Sequence, residues 1–194
     1  MLFRSEEDGV QAMLTAARYA ELLVLGQHQD DESVDGGVDA AFLQELLLKA
    51  AKPALVVPYA GSFEVVGRRV LVAWNGGAQA TRAIDSALPL IEQANEVHVA
   101  VFGDVRGDAR EGDHGEEPGA DIGLYLARHN AHVSVTRSRA ELDVGAQILN
   151  RASDLGADLI VMGAYGKSPL RERLLGGATR TLLESMTVPV LMAH

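Results

Sequence analysis

The residues best equipped for chemistry form one glycine-punctuated stretch, Gly163-Ala164-Tyr165-Gly166-Lys167-Ser168-Pro169-Leu170-Arg171-Glu172-Arg173-Leu174-Leu175-Gly176-Gly177. Glycine lets the backbone approach a bound group closely, and the first N–H groups of a following helix have no partner within it. Together they suit an anion such as phosphate. Lys167, Arg171, Arg173 and Arg180 gather here against Glu172 and Glu184, in a chain of formal net charge −10. One exposed helix N-terminus favours an anion by only about 0.3–1 kcal/mol. A phosphate chain therefore needs several N–H groups and a cation or two, which this stretch can supply. The bland alternative is that the glycines only make turns and the basic residues are solvated.

Two familiar phosphate motifs fail on spacing. Gly166-Lys167-Ser168 has the ending of a P-loop, but the glycine required five residues before Gly166 is Val161. Gly163 and Gly166 also lack the third glycine of a dinucleotide fingerprint at the right offset. The acidic run Asp104, Asp108, Glu111, Asp113, Glu116, Glu117 and Asp121 does not match an EF-hand loop and reads as a solvated segment, placed to act as a flap. His28, His98, His114, His129, His132 and His194 show no metal spacing, and no Ser-His-Asp order stands out. His98 and His132 read as structural or edge residues, and Trp74 as core or site wall. No catalytic base or metal carboxylate is placed against the glycine stretch, so phosphoryl or adenylyl transfer has the least support.

The elements that must hold this stretch alternate between strand and helix. Strands are predicted at Leu22–Leu25, Ala54–Val57, Arg69–Trp74, Glu96–Phe102, His132–Thr136, Asp158–Met162 and Val188–Ala193. Helices are predicted after Ser5, a plausible N-cap, and over Ala40–Ala51, Ala78–Glu92, Asp121–Asn130, Leu142–Leu155 and Ala178–Met186. Val10, Met13, Leu14 and Ala17 mark a buried helical face. Such alternation, with strands rich in Val, Leu and Ile, predicts a parallel sheet covered on both faces. Ligands bind such sheets at the carboxyl ends of the strands, where strand order reverses.

The first sixty residues resemble the last part of the chain. Ala20-Glu21-Leu22-Leu23-Val24-Leu25-Gly26 parallels Ala157-Asp158-Leu159-Ile160-Val161-Met162-Gly163, and Pro53 and Pro189 follow the two glycines by 27 and 26 residues. This reads as an internal repeat. The first copy lacks the glycine stretch: Gln29 stands at the place of Gly166 and Ala40 at that of Gly176.

Bulk properties narrow the partners. An acidic chain of 194 residues with 47% apolar residues can fill a core but repels nucleic acid and anionic lipid. The absence of cysteine excludes disulfides and thiolate chemistry. No apolar run approaches the roughly 18 residues that span a bilayer. The opening MLFRSEEDGVQ lacks a signal peptide's apolar run, so a cytoplasmic protein is the expectation.

The spacing Gly163-x2-Gly166-x9-Gly176 resembles the G-x2-G-x9-G-[ST] signature of the ATP-binding universal stress proteins. Its flanks, Asp158-Leu-Ile-Val-Met-Gly and Val188-Pro-Val-Leu, are similar too. The resemblance implies a half-domain over residues 1–60, a linker over 61–68 and a complete nucleotide-binding domain over 69–194. It implies an α/β fold, an open parallel five-stranded sheet in the order 3-2-1-4-5 with helices on both faces, of the adenine nucleotide α-hydrolase-like kind. It places ATP or AMP, with Mg as an optional companion, over Ala73, Trp74 and Asn75 and over Val101 or a neighbour. The phosphates fall on Gly163, Gly166, Lys167, Gly176, Gly177 and Ala178. The implied role is a regulatory module of stress response and not an enzyme, with at most weak ATP hydrolysis. Two residues depart from the pattern: Asn75 replaces the usual acid, and Gly177 replaces the Ser/Thr. They keep open a nucleotide-free interaction or assembly module. The implied partners are an adenine nucleotide and a second copy of the chain, met through the last strands and through the exposed edge of the half-domain.

Overall fold

The computed structural model describes residues 6–28, 40–102, 119–129, 131–138, 143–165 and 177–194. The predicted Ser5 cap and most of the acidic run lie outside them. In chain order the elements are α1 (Glu6–Ala17), β1 (Leu23–Gly26), α2 (Ala40–Lys49), β2 (Ala54–Val57), β3 (Arg69–Trp74), α3 (Ala78–Ile91), β4 (Glu96–Phe102), α4 (Ala120–Arg128), β5 (Val133–Ser138), α5 (Val144–Leu155), β6 (Leu159–Gly163), α6 (Ala178–Ser185) and β7 (Val190–Ala193).

All seven strands join one sheet in the order β1-β2-β7-β6-β3-β4-β5. Every neighbouring pair is parallel except β2 and β7, which run antiparallel with Ala54 opposite Met192, Leu55 opposite Leu191 and Val56 opposite Val190. The sheet is therefore mixed and seven-stranded, where an open parallel five-stranded sheet was expected. The difference arises because β2 closes the edge that β7 would otherwise expose. With β6 on its other side, β7 has both edges paired within the chain. Association between copies through the last strands, expected from the sequence, is thereby closed off: no backbone edge remains on β7 to pair. The outermost strands are β1 and β5.

Side chains alternate across each strand and so feed two cores. On one face Leu71, Ala100, Ile160, Met162, Val190 and Met192 cluster with Leu23, Leu25, Ala54 and Val56 and with residues of α1, α2, α5 and α6. On the other, Val70, Val72, Val97, Val99, Leu159, Val161 and Leu191 meet Ala83, Ile84, Ala87 and Ile91 of α3 and Ile122 and Leu126 of α4. The helical spacing explains the contacts: Leu43, Leu46 and Leu47 line one side of α2, and Ala80, Ala83, Ile84, Ala87 and Ile91 one side of α3. Full burial of such a Leu or Ile side chain contributes about 1.5–3 kcal/mol. Val10 and Ala17 of α1 are buried as its period predicts, with Met13 and Leu14 packed beside them.

The β1-α2-β2 and β6-α6-β7 units make matching bonds. Leu23 N–H donates to Pro53 C=O and Ile160 N–H to Pro189 C=O, both at 3.0 Å. Gln27 N–H donates to Val57 C=O and Ala164 N–H to Ala193 C=O, both at 2.8 Å. The entry to β3 is held by one carboxylate. Asp158 accepts from the N–H groups of Gly67 at 2.8 Å and of Arg68 and Arg69 at 3.1 Å each. These are charge-assisted bonds that fix the start of β3 beside β6. Asp158→Ala should lower the unfolding free energy by about 2–3 kcal/mol in urea denaturation, the order of losing one strong charged hydrogen-bond set.

Candidate functional site

The chain runs β3, β4, β5 outward on one side of β3 and then returns to place β6 on the other. The carboxyl ends of β3 and β6 flank the point where strand order reverses, the usual ligand crevice of such sheets. Ala73 and Trp74 end β3, Gly163 ends β6 with Ala193 opposite it, and Val101 lies opposite Trp74. Gly177 and Ala178 open α6. Gly166, Lys167 and Gly176 lie outside the described residues.

Ala73 and Trp74 face opposite ways, as neighbours on a strand must. Ala73 packs against the core shared with α5 and α6, and Trp74 against the α3 and α4 core. Val101 is buried beneath the start of α4, where a Cβ on Gly119 would meet its Cγ2 at 2.8 Å. Val101 is also paired with Arg137 of β5, so its backbone as well as its side chain serves the sheet. Asn75 is partly spoken for: its Oδ1 accepts the Gly77 N–H at 2.9 Å, closing a turn in which Gly76 takes φ +72°. Its amide NH2 makes no bond with Gly77.

Gly163 has a role that spacing alone did not reveal. A Cβ there would lie 2.6 Å from Ala80 N and 2.7 Å from Gln79 Cβ. The glycine is what lets the first turn of α3 rest on the end of β6. Thr179, absent from the sequence expectations, is almost fully buried, and its Oγ1 accepts the Tyr165 N–H at 3.2 Å. Tyr165 takes φ +53°, uncommon for a side chain of its size. Ala164 C=O is bonded by His194 Nδ1 at 3.0 Å, and the Tyr165 and His194 rings meet edge to face. The exit from β6 is thus tied to α6 and to the end of β7.

Helix capping distinguishes the helices around this crevice. α5 is capped by Asp143, whose carboxylate accepts from the N–H groups of Gly145 and Ala146. The N-caps of α3 and α6 are Gly77 and Gly177, and neither has a side-chain cap bond. Two helix starts with N–H groups unserved by a cap thus lie beside the end of β6, one touching Gly163 and one joined to Tyr165. Arg180, in the first turn of α6, pairs with Glu184 at 2.6 Å, which raises its pKa. Farther away, His98 bonds Ser134 Oγ at 2.6 Å and faces Glu96 on the open surface of β4 and β5, and His132 bonds Asn95 C=O, in line with structural or edge roles. Among the described residues no group of three metal-binding side chains forms. Nor, among them, is any helix long and apolar enough to cross a membrane.

A fold of this order with a glycine-bearing crevice defines a class, and the comparisons name it. The universal stress protein family model matches residues 67–194. The chain belongs to the universal stress protein family. It is 25% identical over 175 residues to universal stress protein Slr1230 of a Synechocystis species, covering 88% of this chain and 57% of that protein. It is 41% identical over 46 residues to universal stress protein MJ0577 of Methanocaldococcus jannaschii, covering 24% of this chain and 28% of that one. The crystal structure of a universal stress protein from Archaeoglobus fulgidus superposes with a TM-score of 0.70 at 17% identity, covering 95% of this chain and 64% of that chain. The chain thus spans less than two thirds of the length of these relatives.

The contact at Gly163 and the open space at Gly26 allow a paired test. Gly163→Ala should cost about 1–3 kcal/mol of stability, because backbone atoms of α3 must move. Gly26→Ala, with nothing within 4 Å of the added carbon, should be neutral or stabilising by about 0.5–1 kcal/mol. Urea unfolding of both variants reads the difference.

Proposed function

We propose that the crevice between β3 and β6 binds an adenine nucleotide, ATP or AMP, and that the protein is a cytoplasmic regulatory module of stress response without catalysis of its own. The observation that carries this is the pair of uncapped helix N-termini, at Gly77 and Gly177, beside the carboxyl end of β6. They offer N–H groups and the positive ends of two helix dipoles to a phosphate chain. The glycine spacing from Gly163 to Gly176 supports the same reading, with Gly163, Gly166, Lys167, Gly176, Gly177 and Ala178 around the phosphates and Ala73, Trp74, Asn75 and Val101 around the base. Magnesium would accompany the phosphates.

In this reading residues 1–60 are a half-domain repeat that kept its architecture and lost the site. Residues 61–68 link it to a complete domain over 69–194, whose own strands follow the order 3-2-1-4-5. Contact with other chains then falls to the outer edge of β1.

A second reading, a nucleotide-free assembly module, is favoured by Asn75 and Gly177. The amide oxygen of Asn75 already serves Gly77, and Gly177 has no hydroxyl to give a phosphate. Titration calorimetry and thermal shift with millimolar ATP and magnesium decide between them. Binding at one hundred times Kd should add about 2.7 kcal/mol of stability. Gly177→Ser should tighten ATP binding by roughly two- to tenfold, the worth of one added hydrogen bond. No heat and no shift with ATP or AMP would leave the assembly module as the function.

A further inference from the structure

The outer edge of β1 differs from a simple bare edge, because the same chain contains its occupied counterpart. The matching bonds of the two β-α-β units, and the pairing of β2 with β7 centred on Leu55 and Leu191, superpose β1 on β6 residue by residue. On β6 the corresponding edge is filled by β3, in parallel from Val70 beside Leu159 to Ala73 beside Met162, and α3 covers that face. Val161 and Gly163 of β6 and Asp158 just before it make that contact, and among the described residues their equivalents, Val24 and Gly26 of β1 and Glu21 just before it, have no such partner.

Val161 is fully buried in the cluster that holds Ala83 and Ala87 of α3, whereas Val24 is 65% exposed. Gly163 lies against Gln79 and Ala80, whereas a Cβ on Gly26 would meet nothing within 4 Å. Asp158 receives the N–H groups of Gly67, Arg68 and Arg69, and Glu21 stands exposed at its equivalent place. The backbone agrees. In a parallel strand each residue turns its N–H and C=O to the same side. Leu23 and Gln27 N–H groups point to β2, so Val24 and Gly26 present theirs outward.

We propose that this edge is a socket for a partner strand–helix unit from outside residues 1–194. The partner supplies a short apolar strand parallel to β1. Its entry brings backbone N–H groups, and favourably basic residues, to Glu21, as Arg68 and Arg69 come to Asp158. It continues into a helix whose small residues cover Val24 and whose first turn rests on Gly26. Edge-to-edge pairing of two β1 strands would satisfy the backbone but leave Val24 and Gly26 uncovered, so a second copy fits less well. The socket depends on the half-domain reading and is independent of the nucleotide crevice.

The test uses the full chain and, as probe, a labelled synthetic peptide of residues 67–93, the unit that fills the same place on β6. Fluorescence anisotropy should give saturable one-to-one binding. Val24→Lys and Gly26→Val should each weaken it by at least about tenfold. Neither should lower the thermal unfolding temperature or change the response to ATP, since Val24 is exposed and Gly26 borders open space. Hydrogen exchange at Val24 and Gly26 should slow on binding. Absence of saturable binding overturns the proposal, as does binding equal in both variants. A dimer that Val24→Lys dissociates and the peptide cannot displace overturns it in favour of self-pairing.

Discussion

The three residue pairs between β2 and β7 are the constraint on which the rest of the architecture depends. Each of the two β-α-β units has parallel strands, and parallel strands are stable only when both faces and their neighbours exclude water. By running antiparallel, β2 and β7 satisfy one another's edge groups and bring α1 and α2 onto the same face as α5 and α6. The larger core is a product of that junction. Leu43, Leu46 and Leu47 from α2 belong to the same cluster as Leu182 and Met186 from α6 and its end. Remove the junction and both units would expose an apolar strand edge and half of a core.

The same frame determines what the crevice can be. Once β7 and β6 are held, β3 must lie beside β6, and α3 must cross the end of β6 at the distance that only glycine permits. The start of α3 is then brought to Gly163 and that of α6 to Tyr165 through Thr179. Glycine stands at the N-caps of α3, α4 and α6, whereas Asp143 caps α5 with its carboxylate, so the first N–H groups of the glycine-capped helices are left without a capping side chain.

Much of the fold was legible because its signals are local. The apolar runs read as strands, and their limits moved only where local chemistry intervened. The last strand begins at Val190 and not at Val188, because Pro189 has no N–H and serves the sheet only through its carbonyl, which accepts from Ile160. α5 begins after Asp143 because that carboxylate takes the first free N–H groups. The family, too, was legible in the glycine spacing. The long-range facts were not. Nothing near Gly163 in sequence announces that Gln79 and Ala80 press on it, and Thr179 looks like any helix residue until Tyr165 turns toward it. The occupation of Asn75 by Gly77 was within reach, since Asn-Gly-Gly is a turn sequence in which asparagine commonly bonds the backbone two residues on. Spacing gives the family of a loop; packing gives the job of each residue in it.

Gln27 and Ala164 stand at matching places in the two β-α-β units and do different work. At the end of β6 the chain passes through Ala164, fully buried in the larger core with no side-chain polar group to bond across the junction. At the end of β1 the residue in that place is Gln27, 7% exposed, with Nε2 donating to Leu183 C=O at 2.9 Å and Oε1 accepting Tyr59 N–H at 3.3 Å. A buried amide must find partners or cost a few kcal/mol. These partners lie on α6 and on the segment after β2, so the side chain staples one unit to the other across the junction. A strand end plugged in this way is committed to holding the molecule together. The glycine one residue earlier has no such employment within the described chain, and it retains the form needed to receive a helix.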